Sequence, residues 1–446
     1  MTTPILDFVR RYAEQKRLRL HMPGHKGECL LGCEPLDITE VTGADSLFEA
    51  DGIIAESEQN AGRLFGADTF YSTEGSSLSI RAMVYLVAQK ALERGEKPLI
   101  LAGRNAHRSF LSALALTGAD VKWLLPRAGG SYLSCPITAQ EVEAAISAAE
   151  QKPTAVYLTT PDYLGNMLDV AEIAKACHRQ GVYLLVDNAH GAYLKFLPDS
   201  RHPIELGADL CCDSAHKTLP ALTGAGYLHV SHTVSALFSP FVKSAMALFG
   251  STSPSYLILQ SLDAVNADLA NGFSRRLGRT VDAVTRCKQR LLAGGYLLCG
   301  DEPMKITIAA KPYGYRGNEL LALVEREGVI CEFADPDFLV LMPGVATTPE
   351  ELERLADLLC AIPRREPITE QAPLFSTPSR TLSVREAVFS PSETVAVSDA
   401  LGRVLATASV ACPPAVPIVI SGERIDREAL AAFAYYGIES CRVVKS

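Results

Sequence analysis

Short apolar runs alternate with segments of helical period from about residue 67 onward. The apolar runs are rich in β-branched and aromatic residues, and Gly or polar residues follow them, which is typical of successive βα units. The predicted strands lie in "ADTFYST", "PLILAG", "DVKWLL", "TAVYLTT", "VYLLVD", "GADLCCDS" and "GAGYLHV". The predicted helices lie in "LSIRAMVYLVAQKALERG", 109–117, "EVEAAISAAEQ" and "VAEIAKACHRQG". This order predicts an α/β fold with a mostly parallel, doubly wound sheet.

The pattern changes beyond this region. A helical stretch covers about 255–292, and "MKITIAA", "ELLALVEREG", "FLVLMPG" and "PEELERLADLLCAI" indicate a smaller α/β unit. A segment rich in Pro, Ser and Thr then leads into a C-terminal extension. We therefore predict an N-terminal segment at 1–54, a large domain at 55–285, a small α/β domain at 286–370 and a C-terminal domain at 371–446.

Composition narrows the class of protein. The 446 residues are 48% hydrophobic and 21% charged, which is the balance of a globular protein. A net charge of -9 without a Lys/Arg-rich block argues against a nucleic-acid partner. Since no apolar stretch could span a bilayer and the N-terminus lacks signal-peptide features, we expect no membrane partner and a cytoplasmic location. The cysteines are scattered without paired C-x-x-C motifs, so we expect reduced thiols and no metal site.

Ligands of such sheets bind beyond the carboxyl ends of the strands, so we expect the functional residues in the loops at those ends. After the first strand, Gly75, Ser76 and Ser77 precede a long helix. Backbone N–H groups and the positive end of a helix dipole suit a phosphate at this position. An ordinary serine N-cap fits the same residues equally well.

Three further strand ends carry candidate groups. His107 follows the second strand and could stack on a planar cofactor or lie at the surface. Asp187 ends a fully apolar strand, where a carboxylate needs a cationic or N–H partner such as a protonated pyridine nitrogen. His190 lies three residues further on and could contact a substrate or only pack. Asp162 and Asn166 in "TTPDYLGN" are expected to form a turn.

Lys217 stands in "CDSAHKTLPALTGAG" among small and apolar residues. Burial there would lower its pKa and free the amine for Schiff-base formation, whereas an exposed turn would leave it an ordinary surface lysine. Ser214 and His216 precede it, and Asp187 lies on the preceding strand end. A lysine, an acid and a phosphate cradle on consecutive strand ends are the set that pyridoxal 5'-phosphate (PLP) requires. This order favours the functional interpretation of Lys217.

Seven stretches between residue 21 and about residue 425 also match a known family: "HMPGHKG", "TEGSSLSI", "RNAHRS", "VDNAHGA", "SAHKTLPALTGAG", "STSPSYLILQSLDA" and "CPPAVPIVISGERI". In these stretches the sequence resembles the bacterial ornithine/lysine/arginine decarboxylase family, in its short form. The resemblance implies the aspartate-aminotransferase-like fold of fold-type I PLP enzymes. It also implies a PLP-binding large domain and a C-terminal domain of the decarboxylase type.

The same resemblance implies the following roles. Lys217 forms the Schiff base with PLP, Asp187 pairs with the pyridine nitrogen and His107 stacks on the ring. The phosphate contacts fall to Gly75, Ser76, Ser77, Ser214 and His216. Family members are homodimers or higher homo-oligomers with shared active sites, so Thr252 and Ser253 are candidates for contacting the phosphate of the neighbouring subunit.

The implied reaction is decarboxylation of arginine, lysine or ornithine to the corresponding di- or polyamine, with release of CO2. Glu423 in "SGERID" is the candidate partner for the substrate's cationic end, because this motif resembles the family's "PGE"; a surface glutamate is the alternative. Other fold-type I reactions, such as transamination or β-elimination, stay open, with Arg316 as a weak candidate for binding a substrate carboxylate. A non-catalytic PLP-binding homologue is the third possibility.

The sequence departs from the family pattern at several positions. Asn188 stands where the short form commonly has Glu, Tyr193 where it commonly has His, and Ala415 where "PPAVP" replaces "PPGIP". "PDYLGN" likewise replaces a "PTYYG"-like loop. These departures spare the cofactor set, and we expect them to lie near the substrate.

Overall fold

Residues 1–126, 131–373, 378–407, 410–412 and 416–445 are described by the computed structural model of the protein, with the backbone alone at 410–412. The helices are α1 (Pro4–Glu14), α2 (Ile53–Phe65), α3 (Gly75–Glu93), α4 (Arg108–Thr117), α5 (Ala139–Ser147), α6 (Val170–Arg179), α7 (Ala215–Thr218), α8 (Ser235–Ala247), α9 (Tyr256–Ala270), α10 (Phe273–Ala293), α11 (Gly317–Arg326), α12 (Pro349–Ala361), α13 (Val384–Phe389) and α14 (Arg427–Tyr435). Short 3-10 helices lie at Glu34–Leu36, Leu47–Glu49, Ala192–Phe196, Lys311–Tyr313 and Val397–Asp399.

The strands are β1 (Asp68–Ser72), β2 (Leu99–Gly103), β3 (Asp120–Leu124), β4 (Ala155–Thr159), β5 (Tyr183–Asp187), β6 (Leu210–Asp213), β7 (Gly226–Val230), β8 (Leu297–Cys299), β9 (Ile306–Ala309), β10 (Phe333–Ala334), β11 (Phe338–Leu341), β12 (Ser392–Ala396), β13 (Val410–Cys412), β14 (Val416–Val419) and β15 (Ser440–Val444). Each strand predicted for the large domain is present. Within the described ranges, no helix combines the length and the apolar character needed to cross a lipid bilayer.

The large sheet has seven strands in the order β1-β7-β6-β5-β4-β2-β3. β7 runs antiparallel to both of its neighbours, β1 and β6. All other neighbouring strands of this sheet are parallel. The carboxyl ends of β1, β2, β4, β5 and β6 therefore meet at one edge of the sheet, where β7 begins. The predicted mostly parallel, doubly wound sheet is confirmed.

The alternation of side chains along β5 shows how the two helical layers are built. Leu185 packs in the apolar layer beneath α3, α4 and α8, whereas Leu184 and Val186 pack in the layer that contains α5 and α6. Successive side chains of a strand point to opposite faces, so a sheet covered on both sides needs an uninterrupted apolar strand. Each of these buried side chains stabilises the fold by about 2 kcal/mol. Asp187 follows on the same face as Leu185.

The smaller unit contains an antiparallel sheet of four strands in the order β10-β11-β9-β8. Its apolar face shares one core with α10, α11 and α12. The helical stretch predicted at 255–292 is divided into α9 and α10. Gly272 lies between them with a φ of 80°, a left-handed conformation that glycine adopts without a Cβ clash.

The C-terminal extension forms two small antiparallel sheets, β12 with β15 and β13 with β14, together with α14. Ile418 and Val419 of β14 lie in one apolar cluster with Tyr132 and Leu133 of the large domain. This packing brings the start of β14 to the edge of the large sheet where the parallel strands end. The domain boundaries given above stay a prediction.

Candidate active site

A cavity of about 450 Å³ opens at the edge of the large sheet where the parallel strands end. Its volume lies in the range of small-molecule sites. The cavity brings together nine of the residues predicted from sequence: Gly75, Ser76, Ser77, His107, Asp187, His190, Ser214, His216 and Lys217. They come from the ends of four different strands, β1, β2, β5 and β6, and the parallel arrangement of these strands brings them into one site.

Lys217 lies in α7, directly after β6. Its Nζ is 3.0 Å from His190 Nε2. The side chain is open to the cavity while protein atoms enclose it on its other sides, and this enclosure lowers the pKa of the amine. The charge of Asp187 opposes that shift. A lowered pKa increases the fraction of uncharged amine, which is the nucleophilic form.

Asp187 ends β5 and is almost fully buried. Its Oδ2 accepts a hydrogen bond from the Tyr157 hydroxyl at 3.0 Å. Its Oδ1 accepts from the backbone N–H of Ala189 at 3.2 Å and from the Cys212 thiol at 3.6 Å. A buried carboxylate with three donors can keep its charge and pair with a cationic ring nitrogen in the cavity.

His190 and His107 are two uncharged imidazoles in the cavity wall. Burial is the largest cause of a His190 pKa well below the ordinary value, and the charges of Lys217 and Lys305 act in the same direction. Burial also lowers the pKa of His107 to about 4. His107 is the N-cap of α4, where its Nδ1 accepts from the backbone N–H of Ser109 at 3.2 Å. This bond holds the ring at the cavity wall.

The N-terminus of α3 and the loop before α7 form one hydroxyl-lined end of the cavity. Ser214 Oγ donates to Ser76 Oγ at 2.9 Å, and Ser109 Oγ donates to Ser77 Oγ at 2.9 Å. His216 lies beside them, with its Nδ1 2.8 Å from the Ala225 carbonyl oxygen. A helix N-terminus next to several hydroxyl groups is an anion-binding arrangement.

Four predicted or weighed residues lie outside the cavity wall of this chain. The Glu423 carboxylate is paired with Arg104 at 3.1 Å, both side chains being buried. Arg316 donates to Glu370 at 2.6 Å. Thr252 and Ser253 are exposed, one and two residues after Ser251, whose N–H donates to the cavity residue Glu74 at 2.8 Å. Their contact with a neighbouring subunit stays a prediction.

Two of the departures from the family pattern, Asn188 and Tyr193, do not lie where we expected them, whereas Tyr163 of "PDYLGN" lines the cavity. Asn188 is buried behind the cavity wall and donates to Asp213 Oδ1 at 2.7 Å. Tyr193 is also buried and donates to Glu302 Oε1. Neither side chain reaches the cavity. Ala415 lies outside the described residues.

Asp162 and Asn166 form the expected turn. The backbone N–H groups of Leu164 and Asn166 both donate to Asp162 Oδ1 at 2.9 Å. The turn places Tyr163 in the cavity wall, with its ring edge-on to His190 at 5.2 Å between centroids.

Sequence reasoning missed several residues of the site. Tyr163 follows β4 and could have been found by the rule that led to the other strand ends. Glu332 reaches the cavity from the small unit, and no local motif marks it. Val416 reaches it from the C-terminal extension and lies in the quoted stretch "CPPAVPIVISGERI", but it was not singled out. Tyr157 and Cys212 lie inside apolar strands, where the pattern predicted core positions only.

Comparison with known proteins agrees with this site. The model of the Orn/Lys/Arg decarboxylase major domain matches residues 3–312, and the model of the C-terminal domain of the same family matches residues 373–440. The chain belongs to the Orn/Lys/Arg decarboxylase family. This family consists of PLP-dependent amino acid carboxy-lyases, so the predicted enzyme class and cofactor are confirmed.

Curated relatives match over nearly the full length of the chain. An arginine decarboxylase of Halalkalibacterium halodurans is 29% identical, over 96% of this chain and 92% of the relative. An arginine decarboxylase of Bacillus subtilis is 27% identical over the same shares. A lysine decarboxylase of Pseudomonas aeruginosa is 27% identical over 61% of this chain and 41% of the relative.

Solved structures confirm the fold. The constitutive lysine decarboxylase of E. coli superposes with a TM-score of 0.76 at 19% identity, covering 100% of this chain and 82% of the other. A serine palmitoyltransferase structure with PLP gives a TM-score of 0.57 at 13% identity, covering 80% of this chain and 83% of the other. The predicted fold-type I architecture is therefore present.

The described residues fit the cofactor of the family. Gly224, at the hydroxyl-lined end of the cavity, has a φ of 97°, and a Cβ there would lie 2.9 Å from the Thr73 carbonyl oxygen. A Cβ on Gly75, with a φ of 62°, would lie 3.4 Å from His216 Cε1. Glycine at both positions lets the backbone come close to an anionic group in the cavity. Lys217 and Asp187 line the same cavity and can serve the other end of the cofactor.

Proposed function

We propose that the protein decarboxylates arginine. The reaction releases CO2 and yields the corresponding amine, which is a precursor of polyamines. The observation that carries the proposal is the composition of one cavity. Lys217 and Asp187 meet there with a hydroxyl-lined anion site and with the Glu332 carboxylate. Arginine is favoured because the relatives that match the chain over nearly its full length carry that name.

PLP supplies, when bound, an electron sink for the electron pair that remains on the substrate Cα after CO2 leaves. Lys217 Nζ is the amine that holds it. The Asp187 carboxylate pairs with its ring nitrogen and stabilises the positive charge there. His107 provides a flat, uncharged face against the ring, since its low pKa keeps the imidazole neutral. The hydroxyl groups of Ser76, Ser77 and Ser214 and the imidazole of His216 bind its phosphate.

Loss of CO2 must be followed by delivery of a proton to Cα. Lys217 Nζ and His190 Nε2, 3.0 Å apart, form a titratable pair in the cavity wall. This pair can take up a proton at Lys217 Nζ and release it toward the substrate.

Glu332 is the proposed partner of the substrate's cationic end. It lies just before β10, lines the cavity, and accepts a hydrogen bond from the Tyr163 hydroxyl at 2.9 Å. That bond orients the carboxylate beside Lys217, whose amine its negative charge also affects. A guanidinium can form a bidentate pair with such a carboxylate. Glu423 already has Arg104 as its cationic partner. We therefore propose that Glu423 holds the C-terminal extension on the large domain.

The direct test is CO2 release by the purified enzyme with PLP and, separately, arginine, lysine, ornithine and leucine. We expect release from arginine, weaker release from the other basic amino acids and none from leucine. Release from leucine at the rate of arginine, or keto-acid formation in place of CO2, would overturn the proposal. Arg316 is paired with Glu370 outside the cavity, so no observation on the site favours transamination.

We further propose that the enzyme is a cytoplasmic homodimer with shared active sites. Five apolar side chains of the N-terminal segment are between 68% and 89% exposed: Leu18, Leu20, Met22, Leu30 and Leu31. A cluster of such exposed residues is typical of a surface that a second copy covers. Thr252 and Ser253 are exposed and follow Ser251, which donates to the cavity residue Glu74, and we propose that they contact the site of the second copy.

The activity of a mixture of two inactive variants tests whether the two subunits share their active sites. Lys217→Ala removes the amine of a subunit's own site, and Thr252→Val with Ser253→Ala removes the groups offered to the neighbour. Hybrid dimers should contain one intact site, restoring up to about a quarter of the wild-type activity. If the mixture of refolded subunits stays inactive, or if sedimentation shows only monomers, the shared site is wrong.

A further inference from the structure

A buried lysine lies behind the catalytic histidine. Lys305, in the segment just before β9, is almost fully buried, and its Nζ is 3.3 Å from His190 Nδ1. The other ring nitrogen, Nε2, is the one that lies 3.0 Å from Lys217 Nζ. The imidazole of His190 thus lies between two amines, one in the cavity wall and one in the interior.

The other contacts of Lys305 define its role as a donor. Its Nζ donates to the carbonyl oxygens of Asp162 at 3.1 Å and Tyr163 at 3.2 Å. A charged ammonium has three N–H groups and no lone pair. Its third N–H therefore points to His190 Nδ1, which must accept.

The acceptor state of Nδ1 determines the other side of the ring. A neutral imidazole carries one N–H and one lone pair, so its proton must be on Nε2. Nε2–H then donates to Lys217 Nζ, and Lys217 can accept only as an uncharged amine. If both lysines were ammonium groups, one N–H would face another N–H without an acceptor.

We propose that Lys305 is a positioning residue: it holds the proton of His190 on Nε2, and this hydrogen bond keeps the Lys217 amine uncharged and directed into the cavity. The inference rests on the proposed role of Lys217 as the amine that binds PLP. It adds a residue of the small unit to the machinery that prepares that amine.

The charges around Lys305 support this assignment. Burial is the largest cause that lowers its pKa to about 8, against the opposing charges of Glu302, Asp162 and Glu332. Lys305 is therefore mostly charged at neutral pH. Burial, as the largest cause, and the charge of Lys305 disfavour a charged imidazole at His190, whose ring Lys217, His107 and His216 also face. His190 thus stays neutral between the two amines, as the hydrogen bonds require.

Competitive labelling of the full-length chain without PLP measures the effect. Acetic anhydride modifies only uncharged amines, and peptide mass spectrometry reports the pH at which Lys217 reaches half of its maximal labelling rate. Lys305→Met removes the charge and the donor, so the midpoint for Lys217 should rise by about one pH unit. Lys305→Arg keeps both and should keep the midpoint near that of the wild type.

Lys288→Met is the matched control. Lys288 donates to the carbonyl oxygen of Glu302 at 2.8 Å, in the same segment, and burial likewise lowers its pKa. Its removal should leave the midpoint for Lys217 unchanged. A folded Lys305→Met variant with the wild-type midpoint would overturn the inference, and so would a midpoint raised equally by Lys288→Met.

Histidine NMR of the wild-type chain keeps the inference testable if Lys305→Met does not fold. The ¹⁵N-labelled histidine signals of the wild type are assigned by comparison with the His190→Asn variant, and His190 should show a protonated Nε2 and an unprotonated Nδ1. The reverse tautomer would contradict the role of Lys305. The proposed function is tested separately: if borohydride fixes PLP to a lysine other than Lys217, the role of Lys217 is wrong whatever the tautomer of His190.

Discussion

The Tyr157 hydroxyl donates a hydrogen bond to Asp187 Oδ2 across two neighbouring strands, at 3.0 Å. Both groups are buried, and burial together with the nearby Asp187 charge holds the pKa of Tyr157 well above its ordinary value. Tyr157 thus stays protonated, and a donor, at neutral pH. The carboxylate that we propose as the partner of the cofactor ring nitrogen is therefore supported from within the sheet.

Tyr157→Phe should weaken PLP binding by about tenfold or more, because a hydrogen bond to a charged group contributes about 1.5–3 kcal/mol. The ring of Tyr157 stacks on Phe110 at 4.1 Å, and phenylalanine keeps that contact, so the fold should be retained. Spectrophotometric titration with PLP measures the affinity. Tyr183→Phe is the control, since Tyr183 lies in the neighbouring strand β5 and packs on Phe238 of α8. Equal affinities of the two variants would refute the role of Tyr157.

Glu332→Gln should raise the KM for arginine by about tenfold while leaving the KM for an uncharged analogue such as citrulline unchanged. The amide keeps the size of the side chain and its contact with Tyr163 but loses the charge. Steady-state CO2 release gives both constants.

Glu423→Gln distinguishes between Glu332 and Glu423 as the carboxylate that binds the cationic end of the substrate. It should leave the ratio of the two KM values unchanged and lower the thermal stability, since Arg104 would lose its buried partner. A selective rise in the KM for arginine in this variant, with no such rise in Glu332→Gln, would show that Glu423 binds the substrate.

The positions of these two glutamates show what the sequence could and could not predict. The large sheet followed from uninterrupted apolar strands, and the strand-end rule then placed Asp187 and Lys217 together. Glu332 belongs to a short antiparallel sheet whose orientation toward the large domain depends on packing over many residues. Glu423 stood in a motif that pointed to function, but its distant partner Arg104 was invisible to local reasoning.

Asp213→Asn should lower the free energy of unfolding by about 2–4 kcal/mol. Asp213 Oδ2 accepts from His202 Nε2 at 3.0 Å and His229 Nε2 at 3.1 Å, all fully buried. Burial disfavours the charged carboxylate, but the two histidines outweigh it and hold the pKa of Asp213 well below its ordinary value. An amide would place a donor against donors. Urea unfolding measures the loss.

Asp209→Asn is the comparison for that experiment. Asp209 also accepts from a histidine, His178 at 3.0 Å, but this histidine is half exposed and water can replace the bond. Asp209→Asn should therefore lower the free energy of unfolding by less than Asp213→Asn does. If both variants lost the same stability, the buried network around Asp213 would have no special importance.

Lys305 should make the stability of the enzyme rise between about pH 8 and pH 10. Its pKa is about 8 in the folded chain, below the unfolded value of about 10.4. In this window the unfolded chain therefore binds more protons, and the free energy of unfolding increases with pH. Relative to Lys305→Met, the wild type should gain on the order of 2 kcal/mol from pH 7 to pH 10. Urea unfolding of both proteins at the two pH values checks this, and parallel stability curves would contradict it.

Lys305 also marks a limit of the sequence analysis. It stands in "MKITIAA", which was correctly predicted as a strand segment of the smaller unit, and nothing in that segment points to chemistry. Its importance comes from burial against the loop after β4 and from the His190 ring, both distant in sequence. Asn188 and Tyr193 show the opposite case, in which sequence suggested a functional place that the structure does not give. They are close to Asp187 in sequence and were expected near the substrate, but their side chains lie behind the cavity wall.

The central claim is that Lys217 is the amine that binds PLP in this cavity. Reduction of the PLP-loaded enzyme with borohydride, followed by peptide mass spectrometry, tests it directly. We expect the reduced cofactor on the peptide that contains Lys217, and no adduct in the Lys217→Ala variant. An adduct on another lysine, such as the buried Lys305, that persists in Lys217→Ala would contradict the account.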